Sequence, residues 1–223
     1  SKFMAHFDIG YFKNSVKRSN LAKKRSIKNK IISWKLDKDY YDGKRINGYG
    51  GFKNDGRWKN LLPKIIKNYK LNNKSKVLDL GCKKGFFLQD LKSLLPGIKI
   101  YGIENHPYPI NNAPKGMKRY LKLNNYYDLK FKDKFFDLVF AFNSIYSQNL
   151  GDVIKTLKEM ERVSKKSYVV LAAYENDKER NKFYDWTLIG TTILHKREWL
   201  QLFKIIGYKS DYYFSTSKTL GLK

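Results

Sequence analysis

Between residues 58 and 216 the apolar positions follow two alternating rhythms. Leu61, Leu62, Ile65, Ile66 and Tyr69 recur at the spacing of one helix face, while Val77-Leu78, the core of the run 75–80, is a short unbroken pair. An unbroken apolar run suits a strand covered on both faces. Residues 85–95 read as a helix stopped by Pro96-Gly97, and Ile98-Lys99-Ile100-Tyr101-Gly102-Ile103 as a second strand. Pro107, Pro109 and Pro114 leave room for a short helix there, or none. The pattern continues with strands near 117–123 and 136–142, a helix over 153–163 and a fifth strand over 167–171. Helices are expected around 177–190 and 196–206, the latter stopped by Gly207, and an alternating strand over 208–215. Strand and helix in this order predict an α/β fold: a doubly wound, mostly parallel sheet with helices on both faces.

The first strand ends in unusual chemistry. Asp79 is followed by a glycine turn, Gly81 to Gly85, and then by the helix that starts at Phe86. A buried parallel strand that leads into a glycine turn and a helix N-terminus is how doubly wound folds hold a nucleotide-like ligand. Glu104 closes the second strand about twenty residues on, where such folds place the acid that accepts ribose hydroxyls. An adenosine-containing cofactor is therefore expected. The turn reads Asp79-x-Gly81-x-Lys83-x-Gly85, which is neither the dinucleotide G-x-G-x-x-G nor a P-loop. A carboxylate at its start would repel a pyrophosphate and suits an ammonium group.

This turn resembles motif I of the class I S-adenosylmethionine (SAM) methyltransferases, D-x-G-x-G-x-G, and the resemblance runs from about residue 60 to 216. It implies that Asp79, directly or through water, holds the cationic methionine end of SAM, in a cradle of Gly81, Cys82 and Gly85. S-adenosylhomocysteine would be the product. Gly102-Ile103-Glu104-Asn105 matches motif II, whose acid grips the ribose. Asn125-Tyr126 falls where the family has an Asp-Ala pair that reads the adenine amino edge; an amide keeps an acceptor oxygen for that purpose. Asn143, at the end of the fourth strand, falls on the lip of the cleft. Two positions depart from the family: Lys83 replaces the middle glycine, and Asn125 the adenine-reading acid. Turned inward, Lys83 would crowd the cofactor; turned outward, it costs little.

Charge alters the picture of the partner. The chain of 223 residues carries 46 Lys and Arg against 20 Asp and Glu, a net charge of +26. Such a field draws anions, whether nucleic acid, phosphorylated metabolites, an acidic protein or an anionic membrane face. Residues 1–38 hold 11 of the basic residues against Asp8 and Asp37, and Asn14 to Trp34 reads as a loosely amphipathic basic helix or arm. The stretch 39–58 has five glycines and five aromatics, too many glycines for a helix or strand. It reads as a lid over cofactor and substrate, in which Tyr49, Phe52 and Trp58 offer stacking faces and Arg45 and Arg57 planar forks, or as a structural cap whose aromatics pack on the sheet. A similar Tyr-Gly-Gly … Asp-Gly-Arg-Trp block precedes motif I in a group of small bacterial methyltransferase-like proteins. Two regions are expected: 1–58, arm and lid, and 59–223, the cofactor-binding domain.

No catalytic base stands out. Tyr146 and His195 are the candidates, with His195 also placed to cap the helix it precedes. His106 lies two residues after Glu104, and Tyr174 after the fifth strand is a substrate-side candidate. Asn143-Ser144-Ile145-Tyr146 lacks the Asn/Asp-Pro-Pro-aromatic motif of base-amino methyltransferases, which argues against DNA adenine methylation. The lone Cys82 excludes an internal disulfide and fits a reducing cytoplasm, where it serves as a small packing residue. Three scattered histidines and one cysteine cannot form a Cys/His zinc site. No apolar run is long enough for a membrane span, and Phe3-Met4-Ala5 is cut off by His6 and Asp8, unlike a signal peptide. The expected function is methyl transfer from SAM to oxygen or nitrogen of an anionic small molecule, such as a phosphorylated or nucleotide-linked sugar. The alternatives are an RNA methyltransferase that uses the basic arm, and a non-catalytic protein that holds nucleic acid or membrane on the same fold.

Overall fold

The computed structural model describes residues 4–11 and 16–223; Phe3 and Asn14, where two of these readings begin, lie outside the described residues. Its centre is a sheet of β1 (Lys76–Leu80), β2 (Lys99–Glu104), β3 (Leu121–Leu123), β4 (Leu138–Phe142), β5 (Ser167–Tyr174), β6 (Leu194–His195) and β7 (Asp211–Ser215). The order runs β3-β2-β1-β4-β5; β7 pairs with Tyr168–Ala172 of β5 and β6 with its last two residues. Every ladder between these strands is parallel. The register sets Asp79 beside Gly102 on one side and Phe140 on the other.

Full burial explains the parallel arrangement. Val77, Leu78, Leu80 and the first four residues of β4 are 0% exposed, so both faces of these strands need cover. Helices supply it. On one face, α4 (Arg57–Tyr69) and α5 (Phe86–Leu94) bring Leu62, Ile65, Leu88 and Leu91 onto Val77, Ile100 and Leu138. There Phe87 stacks flat on Phe140, ring centres 4.1 Å apart. On the other face, α7 (Leu150–Val163) and α9 (Lys196–Ile206) bring Val153, Leu157, Met160, Trp199 and Phe203 onto Leu78, Val139 and Leu171. The remaining helices are α1 (Val16–Ala22), α2 (Ile27–Trp34), α3 (Lys38–Tyr41), α6 (Pro107–Asn111) and α8 (Asp177–Trp186).

Several boundaries differ from the sequence expectation, each for a local reason. The basic arm is two helices, α1 and α2, broken at Lys23–Ser26. The glycine-rich stretch holds most of α3 and a 3-10 turn at Arg45–Asn47, where no helix was expected. Residues 118–120 form a 3-10 turn, so β3 shortens to three residues. The helix expected to reach 190 stops at Trp186, because Thr187 is extended and its chain turns toward the sheet edge. The last strand starts at Asp211, since the Tyr208 N–H still closes α9 on the Phe203 carbonyl, 2.9 Å away.

The chain ahead of residue 59 is fastened to this sheet. Phe7 N–H donates to the Tyr212 carbonyl at 2.8 Å, and Tyr212 N–H to the Ala5 carbonyl at 3.0 Å, which lays residues 5–7 along β7. Ile9 is buried in the α4/α5 core. Among the described residues, no helix is long and apolar enough to cross a membrane.

Candidate functional site

The strand order reverses direction at β1, whose neighbours β2 and β4 lead away on opposite sides, and open α/β sheets form their crevice at the carboxyl ends of such strands. A cavity of about 510 Å³ lies there. Asp79, Gly81, Cys82 and Lys83 line it from β1 and the turn, Phe142 and Asn143 from β4, and Tyr49, Phe52 and Trp58 from the glycine-rich stretch. A second cavity of about 420 Å³ is lined by Asn105, Asn125 and Tyr126, and shares Ser147 and Ile189 with the first.

The turn needs its first glycine. Gly81 has φ +85° and its N–H donates to the Ile103 carbonyl at 2.8 Å, while an added Cβ would lie 2.1 Å from that of Ser144. Lys83, where the family pattern has glycine, also sits in the left-handed region at φ +54°. Its side chain points inward: it lines the larger cavity, and Nζ stands 3.5 Å from the Phe142 carbonyl. The outward placement that would cost least is therefore not adopted.

Two acids anchor the site in different ways. Asp79 is buried, and no hydrogen bond or ion pair from a described residue reaches its carboxylate. Burial pushes it up to about 7, against the pull of Lys83 and with the push of Glu104. Glu104, by contrast, is well supplied. Its Oε2 accepts the Lys83 N–H at 2.9 Å, and its Oε1 accepts the Asn105 N–H at 2.9 Å and the Tyr126 hydroxyl at 2.8 Å. Burial and this carboxylate raise Tyr126 far above its usual value, so the phenol stays protonated and donates. Glu104 thereby ties the turn, the end of β2 and the wall of the smaller cavity together. Behind the cavity walls, Gly85 starts α5 at φ +84°.

Asn143 brings a second unpaired acceptor to the larger cavity. Its backbone lies at φ +50°, and its Oδ1 is buried without a hydrogen-bond partner. Strained conformations and orphaned acceptors of this kind gather at ligand sites. Asn125 lines the smaller cavity with its Oδ1 held by the Tyr127 N–H at 3.1 Å.

The roof is anchored by a buried cation. Lys84 Nζ reaches both oxygens of Asp42, at 2.7 and 2.8 Å, and the Phe52 carbonyl at 3.1 Å. Tyr108 donates to the same carboxylate at 2.8 Å. Around this pair Tyr40, Tyr41, Tyr49 and Phe52 pack edge to face or tilted. Trp58 meets Phe87, Phe140 and Phe142 edge-on, and the Arg57 fork is closed by Asp55 and the Tyr11 hydroxyl.

The remaining candidates separate. Tyr146 lines the larger cavity, and burial raises its phenol, which stays protonated at neutral pH. His195 and Tyr174 line neither cavity. His195 caps α9, its Nδ1 accepting the Arg197 N–H at 3.0 Å, and Tyr174 meets its ring edge-on. His106 caps α6. Trp186, Leu188 and Ile189 also line the larger cavity, and no periodicity in the sequence marks residues at or just beyond a helix end.

A parallel sheet ordered β3-β2-β1-β4-β5, with acids on β1 and β2 at its point of reversal, is the class I methyltransferase type of α/β fold. The chain belongs to the methyltransferase-domain family, whose model matches residues 71–207, and methyl transfer is the enzymatic activity that membership carries. Among solved structures it is similar to the YcgJ protein of Bacillus subtilis, at 17% identity and TM-score 0.54, over 65% of this chain and 66% of that one. It is also similar to PH0226 of Pyrococcus horikoshii, at 26% identity and TM-score 0.45, over 59% and 60%. A third is a chain of the complex formed by the Trm112 methyltransferase activator of Haloferax volcanii, at 22% identity and TM-score 0.49, over 69% and 73%. The chain thus spans just under two thirds of YcgJ and less of PH0226. No curated protein matches it.

Proposed function

We propose that this methyltransferase takes its methyl group from SAM and gives it to an oxygen or nitrogen of an anionic small molecule, such as a phosphorylated or nucleotide-linked sugar. The observation that carries the reading is a pair of acceptors on one cavity that no donor among the described residues reaches, the buried Asp79 carboxylate and Asn143 Oδ1. Leaving a buried acceptor unpaired costs about 1–3 kcal/mol. The ammonium of a methionine moiety would satisfy both once the inward Lys83 side chain swings aside, so the two acceptors fit the cofactor. Gly81 and Cys82 would line its amino-acid end, Glu104 and Asn105 its ribose, and Asn125 and Tyr126 its adenine.

When bound, SAM supplies a methyl group on a sulfonium, an electrophile with a good leaving group, so placement accounts for most of the rate. The roof of tyrosines and Trp58 limits water, and Asp79 stays ionised opposite a cation. No histidine lines either cavity, and Tyr49 and Tyr146 keep their protons. The site therefore suits an acceptor that is already nucleophilic, such as a neutral amine, or one that brings its own base.

A cavity whose basic side chains include Arg18, Arg25 and Arg45 supports an anionic acceptor. Calorimetric titration with S-adenosylhomocysteine tests the cofactor reading: one site per chain is expected, weakened about tenfold or more in Asp79→Asn, the loss of one charge-assisted contact. Absence of binding heat would favour the non-catalytic alternative. For RNA, affinity that falls steeply with salt, together with methylation of mixed RNA, would overturn the small-molecule reading.

A further inference from the structure

Three of the arginines that line the larger cavity come from the segment ahead of the methyltransferase fold: Arg18 from α1, Arg25 from the break between α1 and α2, and Arg45 from the 3-10 turn. Two of them converge on one ring. The Arg25 guanidinium lies 4.3 Å from the centre of Trp186, and that of Arg45 5.4 Å from it. Among the described residues neither forms an ion pair with a carboxylate, in contrast to Arg57 with Asp55 and Lys84 with Asp42. Their hydrogen bonds go to backbone carbonyls instead. Arg25 reaches Ile46 at 3.3 Å, Arg45 at 3.4 Å and Trp186; Arg45 reaches Gly48. These contacts fix the two forks and leave most of the Arg45 N–H groups without a partner among the described residues.

Arg25 and Arg45, two like charges held together without a counter-ion among the described residues, need a reason. Burial and Arg45 pull Arg25 down to about 10, and Arg18 acts on Arg45 in the same sense, so the cluster is repulsive yet charged at neutral pH. An oxyanion placed between the forks would remove that repulsion, and planar guanidinium groups match its oxygens in pairs. The cluster and the acid come from different elements: Arg25 from the α1–α2 break, Arg45 from the 3-10 turn and Trp186 from the end of α8, but Asp79 from β1.

The geometry points to Arg25 and Arg45, stacked on Trp186, as the seat for a phosphate group of the methyl acceptor. This deepens the proposed function and rests on it for the word acceptor, whereas the phosphate seat itself can be tested alone. The methyl donor would lie toward Asp79 and the acceptor's phosphate toward Trp186, so that one cavity holds a cation at one end and an anion at the other.

The test titrates the full chain with inorganic phosphate and with pyrophosphate, without cofactor, for the wild type and for Arg45→Gln and Arg25→Lys. Each variant is then titrated with S-adenosylhomocysteine as a measure of an intact fold. Saturable binding of either anion is expected, weakened about tenfold in Arg45→Gln by loss of a charged fork. Arg25→Lys keeps the charge without the fork and should weaken binding several-fold, with cofactor affinity within about twofold in both variants. Anion affinity unchanged in both variants would overturn the proposal. So would competition between phosphate and S-adenosylhomocysteine, which would put the anion at the glycine turn. If S-adenosylhomocysteine fails to bind while phosphate binding still depends on Arg45, the seat stands and the cofactor reading falls.

Discussion

At the scale of single residues, the site turns on Asp79 and Lys83. Burial holds Asp79 near 7, well above its value in an unfolded chain, so the folded protein favours the protonated form. Its contribution to stability is present below the unfolded carboxylate value and is lost as pH rises through about 7. A cationic ligand reverses that preference, since it binds the ionised form. Affinity for S-adenosylhomocysteine should therefore improve about tenfold between pH 6 and pH 8 and then level off, while Asp79→Asn should flatten this dependence. Titrations at four pH values would check it. Lys83 makes a second case. Its left-handed backbone costs about 1 kcal/mol that glycine would not incur, and its side chain shares the cavity with Asp79. Lys83→Gly is expected to raise the melting temperature and to tighten S-adenosylhomocysteine binding several-fold; weaker binding would mean that the lysine instead helps to hold the ligand.

Secondary elements explain why so much of the site could be read before the fold was known. The unbroken run Val77-Leu78 could serve only as a strand covered on both faces, and Asp79 and Gly81 follow within it and the turn, so their place at the carboxyl edge came with the strand. Glu104 ended the next run in the same manner. Hidden from the sequence were contacts between elements distant along the chain. Tyr126, expected at an adenine edge, also donates its hydroxyl to Glu104, a contact between segments distant along the chain. Trp186 and Lys84 went unremarked because a helix end and one lysine among many carry no pattern. Lys84 belongs to this scale as the clamp between the turn and the glycine-rich roof. Replacing one partner of a mostly buried pair leaves the other uncompensated, so Lys84→Met should cost about 3 kcal/mol of unfolding free energy. Chemical denaturation would measure it, and a loss below about 1 kcal/mol would mean that the roof is held by its aromatics.

For the molecule as a whole, the segment ahead of residue 59 is structural as well as basic. Ala5–Phe7 extend the sheet beyond β7, Ile9 fills the α4/α5 core, and Tyr168 donates to the Phe7 carbonyl at 2.9 Å. Removal of residues 1–38 should therefore lower the melting temperature by several degrees, as loss of one buried Ile side chain and a strand pairing implies. An unchanged melting curve would show that the extension only rests on the sheet. The charge of +26 reads differently in this light: part of it lines the cavity as Arg18, Arg25 and Arg45, and the exposed lysines add a general attraction for anions that salt should screen. The most direct measurement is calorimetric titration of the full chain with S-adenosylhomocysteine at pH 8. One site per chain, weakened by Asp79→Asn, is the result expected from two acceptors that wait for a cation. A flat trace for the wild type, or an unchanged affinity in the variant, would contradict it.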